Sequence, residues 1–237
     1  MTNAITLDLT KKFELNLEKA GITQIPVLET RLAVDRSGSM QEEFDAGWVD
    51  KTINLFIVAA MKFDDNQSLE VGFFNTEFTQ TPEAQASDVG TYLKSKARNI
   101  RPTSGTYYAP IIENLESKMS ASAPIQEKKS GFFGFFKGDS SAPASKERVA
   151  KNKAYVGVIT DGDPGDKRSF ESALANTSGD TFYQFIAIGN QIDANYLKGL
   201  SNQYKHVSFI HLKDPYKVTD DSFYENLCNE KFVAWTK

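Results

Sequence analysis

Beyond residue 30, short apolar runs alternate with stretches whose apolar residues recur every three or four positions. A continuous apolar run bounded by turn residues is typical of a strand buried on both faces, and the three-to-four spacing is typical of a helix. Doubly buried strands separated by helices form a parallel sheet, so the pattern predicts an open, mostly parallel α/β fold with helices on both faces. The predicted strands are 31–35, 69–75, 154–160, 182–188 and 206–212, and the predicted helices are 48–63, 88–97, 108–119, 170–175, 193–201 and 220–235.

Two segments depart from this alternation. Residues 1–27 contain ITLDLT and KFELNL, where apolar and polar residues alternate with the period of a half-buried strand, which predicts a two-stranded flap. A loose linker is the alternative interpretation. Residues 120–153 are rich in Ser, Ala, Lys, Gly and Pro, the composition of an insertion. We therefore expect an N-terminal extension at 1–27 and one domain at 28–237 that carries an insertion at about 120–153.

The insertion contains the sequence GFFGFF at 131–136, surrounded by polar and basic residues. Apolar rings in such a stretch lower solubility unless another surface covers them. One interpretation is that Phe132, Phe133, Phe135 and Phe136 dock onto a partner protein or a membrane surface while neighbouring lysines face acidic groups. The alternatives are that the segment folds back onto its own domain, or that it has neither fold nor role.

Composition narrows the classes of protein to consider. The chain has 237 residues, of which 40% are apolar, and this is enough for one globular domain with a large core. Its net charge of −4 argues against nucleic-acid binding as the main activity. The single cysteine, Cys228, and two histidines argue against disulfides and against a zinc site built from His and Cys. Because the sequence has no membrane-spanning run and opens with no secretory signal, we expect a cytoplasmic protein.

The loop after the first predicted strand carries the candidate chemistry. One carboxylate and two hydroxyl groups stand at alternate positions, Asp35, Ser37 and Ser39, so in an extended stretch their oxygens point the same way. Hard cations such as Mg²⁺ bind oxygen ligands, and these three groups do not satisfy a divalent ion alone. Sites in α/β sheets lie at the carboxyl ends of strands, and Thr106 and Asp161 are further candidates at that edge.

Asp35-x-Ser37-x-Ser39, with the later Gly-Thr element at Thr106 and Thr-Asp-Gly element at Asp161, resembles the metal-ion-dependent adhesion site of von Willebrand factor A domains over about residues 28–237. The resemblance implies a Rossmann-like fold and direct binding of a metal by the hydroxyl groups of Ser37, Ser39 and Thr106. It implies that Asp35 and Asp161 act mainly through bound waters and by orienting ligands. Magnesium is the usual ion of this family, and Mn²⁺ or Ca²⁺ replaces it in some members.

A narrower resemblance is to the A domains of bacterial tellurium-resistance proteins. It rests on AMKFDD at 60–65 before LEVGFFN at 69–75, and on GTYYAPII at 105–112. The opening ITLDLTKKFELNLEKAGI is similar to the start of a TerD-type domain, although it is too short to be the whole domain. This resemblance implies bacterial or phage stress-response biology and names no ligand.

The predicted function is metal-dependent binding of another protein, without catalysis. An open coordination position on the metal would bind an Asp or Glu carboxylate of the partner. One alternative is a Mg²⁺-dependent hydrolase or phosphoryl-transfer enzyme, for which Arg36, Lys167 and Arg168 are the local charge-neutralising candidates. The other is a scaffold whose metal joins loops. The sequence has no Walker A, G-x-G-x-x-G, G-x-S-x-G or H-E-x-x-H motif, and Asp163 and Asp166 are expected to be solvated loop carboxylates.

Overall fold

The protein is described here by a computed structural model that covers residues 4–122 and 153–237, with residues 118–122 as backbone. Its strands are β1 (Glu29–Asp35), β2 (Glu70–Phe74), β3 (Phe78–Gln80), β4 (Ala154–Thr160), β5 (Thr181–Ile188) and β6 (Val207–Leu212). Its helices are α1 (Ala4–Lys19), α2 (Gln41–Asp45), α3 (Trp48–Phe63), α4 (Tyr92–Ser95), α5 (Ala109–Ser122), α6 (Lys167–Ala175), α7 (Ala194–Gln203), α8 (Asp220–Leu227) and α9 (Glu230–Thr236).

The strands form one sheet in the order β3-β2-β1-β4-β5-β6. Every neighbouring pair is parallel except β2 and β3, which are antiparallel. All residues of β4 and β5 are buried, as expected of strands covered by helices on both faces. The predicted Rossmann-like, open and mostly parallel α/β fold is therefore confirmed. The edge strand β3 was not predicted, because three residues carry too little pattern.

Successive residues of each strand contribute to two separate cores, one on each face of the sheet. In β1, Leu32 and Val34 pack in the core beneath α1, α3, α8 and α9, whereas Ala33 packs in the core beneath α5, α6 and α7. The cause is the alternation of side-chain direction along a strand. Among the described residues, no helix combines the length and the apolar character needed to cross a membrane.

The N-terminal segment corrects one prediction: residues 4–19 form helix α1, so the predicted strand flap was wrong. Leu9, Phe13 and Leu17 are buried at a spacing of four, which is the spacing of one helix face. The Phe13 ring lies edge-on to Phe63 of α3 at 5.3 Å and 4.8 Å from Tyr224 of α8. Over such short segments, the apolar residues of ITLDLT and KFELNL fit the spacing of a strand as well as that of a helix. Packing against α3 and α8 selects the helix.

The C-terminal helix predicted at 220–235 is divided into α8 and α9. The first ends at Leu227, and Asn229 caps the second, because its side-chain oxygen accepts hydrogen bonds from the backbone N–H groups of Lys231 and Phe232, each at 3.1 Å. Its amide nitrogen donates to Oε1 of Gln184 at 2.6 Å, which satisfies a fully buried polar side chain of β5. Thr219 caps α8 by accepting from the N–H of Ser222 at 3.2 Å.

The predicted insertion joins α5 to β4 at the amino-terminal edge of the sheet. By residue 115, α5 has reached the start of β1, where the Arg31 guanidinium donates to the Leu115 carbonyl at 3.0 Å. The first residue of β4, Ala154, pairs with Glu29, the first residue of β1. Residues 123–152, and with them Phe132, Phe133, Phe135 and Phe136, lie outside the described residues.

Candidate metal centre

The predicted ligands lie at the carboxyl edge of the two central strands. Asp35 is the last residue of β1, and Asp161 follows Thr160, the last residue of β4. Because β1 and β4 are parallel neighbours, both strands end at the same edge. Thr106 reaches this edge from the loop before α5. Three loops that are distant in sequence therefore meet here, at the position where α/β folds commonly bind ligands.

The first loop turns back on the carboxylate that begins it. The backbone N–H of Ser37 donates to Oδ1 of Asp35 at 2.7 Å, and the Ser37 and Ser39 hydroxyl oxygens are 3.1 Å apart. The Ser39 hydroxyl donates to Oδ1 of Asp161 at 2.8 Å. The N–H of Gly38 donates to the Ser104 carbonyl at 3.2 Å, which ties this loop to the Thr106 loop. Alternate spacing therefore places both serine hydroxyls on one side, facing the two carboxylates.

The second oxygen of Asp35 is held by threonines of the other two loops. The Thr160 hydroxyl donates to Oδ2 of Asp35 at 2.7 Å, and the Thr106 hydroxyl donates to the same oxygen at 3.4 Å. The structure thus brings all five predicted ligands into one group, which we call the oxygen cluster. It consists of Asp35, Ser37, Ser39, Thr106 and Asp161. Thr160 was not predicted, although its place before Asp161 in Thr-Asp-Gly could have indicated it.

The two carboxylates of this cluster are removed from solvent, Asp35 fully and Asp161 in part. Asp35 has 0% of its surface exposed, and burial raises its pKa to about 6, opposed by hydrogen bonds from Thr160 and Ser37. Burial likewise raises the pKa of Asp161. The pKa of the nearby Glu43 is also raised, first by burial and then by the charges of Asp161 and Glu42. Among residues 4–122 and 153–237, no Lys, Arg or His forms an ion pair with Asp35 or Asp161.

The donor chemistry of the oxygen cluster fits a hard divalent cation. Two carboxylates and three hydroxyl groups offer oxygen alone, the ligand type that Mg²⁺, Mn²⁺ and Ca²⁺ prefer. In the described part of the chain, no three His, Cys, Asp or Glu side chains are grouped as metal ligands, so a metal here would depend on the hydroxyl groups. Such a cation would also supply the positive charge that the buried carboxylate of Asp35 lacks.

Asp163 and Asp166 have structural partners that the sequence did not indicate. Asp166 accepts hydrogen bonds from the N–H groups of Tyr108, through Oδ1 at 2.9 Å, and Ala109, through Oδ2 at 2.8 Å. Asp163 accepts from the N–H of Asp193 at 2.8 Å. Both are partly exposed loop carboxylates outside the oxygen cluster, in line with the expectation that they are not ligands, and each also accepts backbone hydrogen bonds. Tyr108 was likewise missed, because its contacts lie more than 50 positions away in sequence.

A family model places these observations among known proteins. The model of TerF-like von Willebrand factor A domains, described as the vWA found in the TerF C terminus, matches residues 28–237. The chain belongs to this family. A curated relative of this TerF-like domain is the uncharacterized protein YcbR of Bacillus subtilis (strain 168), which is 25% identical over 241 residues. That match covers 98% of this chain and 87% of YcbR.

Solved structures agree with the TerF-like assignment at the level of the fold. A von Willebrand factor type A protein from Catenulispora acidiphila superposes with a TM-score of 0.57 at 12% identity, over 87% of this chain and 43% of that one. Proximal thread matrix protein 1 from the mussel byssus, solved with a zinc-occupied MIDAS motif, gives a TM-score of 0.53 at 12% identity, over 88% and 49%. The chain therefore spans less than half the length of these two proteins.

Proposed function

We propose that this TerF-like domain is a metal-dependent protein-binding module whose oxygen cluster holds Mg²⁺, with Mn²⁺ or Ca²⁺ as substitutes. The observation that carries the proposal is the convergence of two carboxylates and three hydroxyl groups from three loops on one sheet edge, without an ion-paired Lys, Arg or His in the described residues. Oxygen ligands gathered around an uncompensated charge favour a divalent cation. The zinc-occupied MIDAS motif of the mussel protein, which shares this fold, supports divalent-metal binding at such a motif.

In this proposal the residues have distinct roles. Ser37, Ser39 and Thr106 would bind the cation through their hydroxyl oxygens, while Asp35 and Asp161 would supply charge and orient those hydroxyls, as their hydrogen bonds already do. When bound, the cation would offer a coordination position to a carboxylate oxygen of a partner's Asp or Glu. Ser39 is exposed and Asp161 half-buried, so a partner can reach this side of the cluster.

We propose binding without catalysis, because the side chains that a hydrolase would need are engaged elsewhere. Arg36 directs its guanidinium to Asn75 and Thr79, both at 3.4 Å. Lys167 lies 4.4 Å from the ring centre of Tyr196 and 3.9 Å from Asp163. The remaining cationic candidate, Arg168, lines a groove between α5 and α6. These positions support a site that holds a partner's carboxylate rather than one that neutralises a transferred phosphate.

We further propose that the module acts in the bacterial or phage cytoplasm, in a stress or tellurium-resistance type of system. The family description and the short motifs at 60–65 and 105–112 support this setting. The partner is another protein, held through the metal. The phenylalanines of the insertion are proposed to make a second contact, with a protein or a membrane surface, and no nucleic acid is involved.

Replacing both Ser37 and Ser39 with alanine is expected to weaken Mg²⁺ binding by roughly tenfold to a hundredfold, because two direct oxygen ligands are lost. Isothermal calorimetry with Mg²⁺ and Mn²⁺ measures the change. The matched control is Ser169→Ala with Ser172→Ala, two exposed serines of α6 that are absent from the oxygen cluster, and it should bind like the wild type. Equal Mg²⁺ affinity in the wild type and the Ser37/Ser39 variant would contradict the assignment of these two serines as metal ligands.

The role of the metal is tested by capture of partners from bacterial lysate with immobilised wild-type protein. A protein retained in Mg²⁺, released by EDTA and not retained by the Ser37/Ser39 variant would support binding through the metal. Retention in both Mg²⁺ and EDTA would contradict it. Metal binding that raises the thermal midpoint by mass action without changing any partner's affinity would indicate a scaffold instead.

Deleting residues 130–138 is expected to leave the Mg²⁺ affinity unchanged within about twofold, because distant, unconnected sites act independently. The flanks of the insertion lie at the amino-terminal edge of the sheet, and the oxygen cluster lies at the carboxyl edge. The same deletion should abolish binding to partner protein or to anionic liposomes through the phenylalanines. Unchanged binding in both assays would overturn the proposed role of the insertion.

A further inference from the structure

The Thr106 loop and the Asp161 loop are joined by hydrogen bonds around one tyrosine. The Tyr108 hydroxyl donates to the Gly162 carbonyl at 2.6 Å and lies 3.1 Å from the Thr160 hydroxyl oxygen. The Tyr108 N–H donates to Asp166 at 2.9 Å. The Gly165 N–H donates to the Thr106 carbonyl at 2.8 Å. Two loops that each supply one member of the oxygen cluster are thus fastened together by their own side chains and backbone.

The Tyr108 hydroxyl is held in place by the core below it. Its ring is fully buried and lies edge-on to Phe74 at 5.9 Å and to Phe170 at 5.2 Å. Aromatic rings packed edge-on in a close-packed interior have little freedom to shift. The hydroxyl therefore sits at a fixed point beneath the turn that carries Asp161, and it connects that turn to the core under α5 and α6.

The hydrogen bonds lead from Tyr108 to the central carboxylate. Thr160 has one hydroxyl proton, and the bond of 2.7 Å to Oδ2 of Asp35 uses it. Its oxygen is then free to accept from the Gly162 N–H at 3.3 Å. Because the one Tyr108 hydroxyl proton goes to the Gly162 carbonyl, Tyr108 is connected to Thr160 through Gly162. Fixing Thr160 fixes the orientation of Asp35, and fixing the Gly162 carbonyl fixes the turn that positions Asp161.

We propose that Tyr108 and Asp166 are positioning residues that hold the Thr106 loop against the Asp161 loop and so set the affinity of the oxygen cluster for a divalent cation. Neither residue contacts the cation. Asp166, in the loop after β4, holds the start of α5 by accepting hydrogen bonds from the N–H groups of Tyr108 and Ala109. Tyr108 in turn holds the turn that carries Asp161 by donating a hydrogen bond to the Gly162 carbonyl. The inference rests on the proposed metal binding at this cluster.

The test is a Mn²⁺ titration of Tyr108→Phe, with free Mn²⁺ measured by electron paramagnetic resonance. We expect the dissociation constant to rise about tenfold, the lower end of the range for losing a residue that orients a metal site without contacting the metal. Tyr183→Phe is the matched control. Its ring is also fully buried, and its hydroxyl donates to Glu116 at 2.8 Å, outside the oxygen cluster. A merely structural role would lower the thermal midpoint of both variants and leave both affinities equal to that of the wild type.

Asp166→Asn provides a second, independent variant, because it keeps one acceptor oxygen and loses the bidentate contact. Asp163→Asn removes the same charge from the same loop without touching Tyr108 or Ala109, since Asp163 accepts from the N–H of Asp193. We expect Asp166→Asn to bind Mn²⁺ roughly fivefold more weakly than Asp163→Asn. Equal affinities in these two variants would show that charge alone acts, and would remove Asp166 from the proposal.

The outcomes separate this inference from the proposed function. A wild type that binds Mn²⁺, together with a Tyr108→Phe variant that binds it equally well, would overturn the positioning role and leave the metal site standing. A wild type that binds no Mn²⁺ would overturn both. If Tyr108→Phe fails to fold, the comparison of Asp166→Asn with Asp163→Asn decides the matter.

Discussion

Replacing Asp35 with asparagine is expected to weaken divalent-cation binding by more than about a hundredfold while raising the stability of the metal-free protein. The first effect follows because the variant removes the central negative charge of the oxygen cluster. The second follows because Asp35 is fully buried and burial raises its pKa to about 6, so ionising this side chain costs more free energy in the folded chain than in the unfolded chain. Asparagine can still accept from the Ser37 N–H and donate to the Thr160 oxygen.

The stability difference should depend on pH in a defined direction. A carboxyl group whose folded pKa is raised from 3.8 to about 6 destabilises the fold progressively as pH rises across that interval. The variant should therefore match the wild type near pH 4 and exceed it by about 1–3 kcal/mol at pH 7, measured by urea unfolding in EDTA. Saturating Mg²⁺ should reverse the order at pH 7, because it stabilises only the wild type.

Asp163→Asn is the control for this experiment, since Asp163 is a partly buried carboxylate of the neighbouring loop and lies outside the oxygen cluster. It should show neither the pH-dependent gain nor the loss of metal response. A less stable Asp35→Asn variant at pH 7 in EDTA would mean that protein groups already compensate the buried charge, which would contradict the assignment of Asp35 as a buried carboxylate without a cationic partner.

Replacing Gly157 with alanine is expected to destabilise the fold by about 3 kcal/mol, because it overpacks the core. A Cβ at this position would lie 2.3 Å from Cζ of Phe56 and 3.2 Å from Cδ1 of Leu32. Phe56 has 0% of its surface exposed and lies edge-on to Phe223 at 6.1 Å, so its ring has no free space to enter. Urea denaturation at constant m-value measures the loss.

Gly72→Ala is the matched control for the steric argument. Its Cβ would lie 2.1 Å from Cζ of Phe78, which is even closer than the contact at Gly157. Phe78, however, is half-buried on the edge strand β3 and can rotate toward solvent, so we expect a loss of about 1 kcal/mol or less. Equal losses in the two variants would show that distance alone, rather than the freedom of the neighbouring ring, determines the effect.

The fold was predictable in those segments where the spacing of apolar residues fits only one kind of secondary structure. The run at 154–159 is apolar and the whole strand 154–160 is buried on both faces, and the helix at 48–63 was predicted at its observed bounds. The break between α8 and α9 was not predictable, because Asn229 at this break is held by a hydrogen bond to Gln184, a buried polar residue 45 positions away. The helix at residues 4–19 was mistaken for strands, because its apolar residues fit both the spacing of a strand and that of a helix. Packing against the rest of the fold selects the helix.

The part of the candidate site that lies in the loop after β1 was predictable from the sequence. Alternate spacing of Asp35, Ser37 and Ser39 indicates shared direction without any knowledge of the fold, whereas the roles of Thr106 and Asp161 came from the family resemblance. Tyr108 and Asp166 lie 58 positions apart and meet because α5 begins beside the loop after β4. Tyr108 lies in the GTYYAPII motif at 105–112, but nothing in the local sequence of either residue indicates this contact, so finding it required the three-dimensional structure.

The position of the insertion also provides a way to handle the protein in the laboratory. α5 ends at Ser122 and β4 begins at Ala154, at the edge of the sheet away from the oxygen cluster, and β4 alone separates the two edges by roughly 20 Å. An affinity tag exchanged for residues 123–152 would anchor every molecule on a sensor chip in one orientation. The carboxyl edge would then face the flowing solution, and divalent cations and dissolved partners could be exchanged over it without detaching the protein.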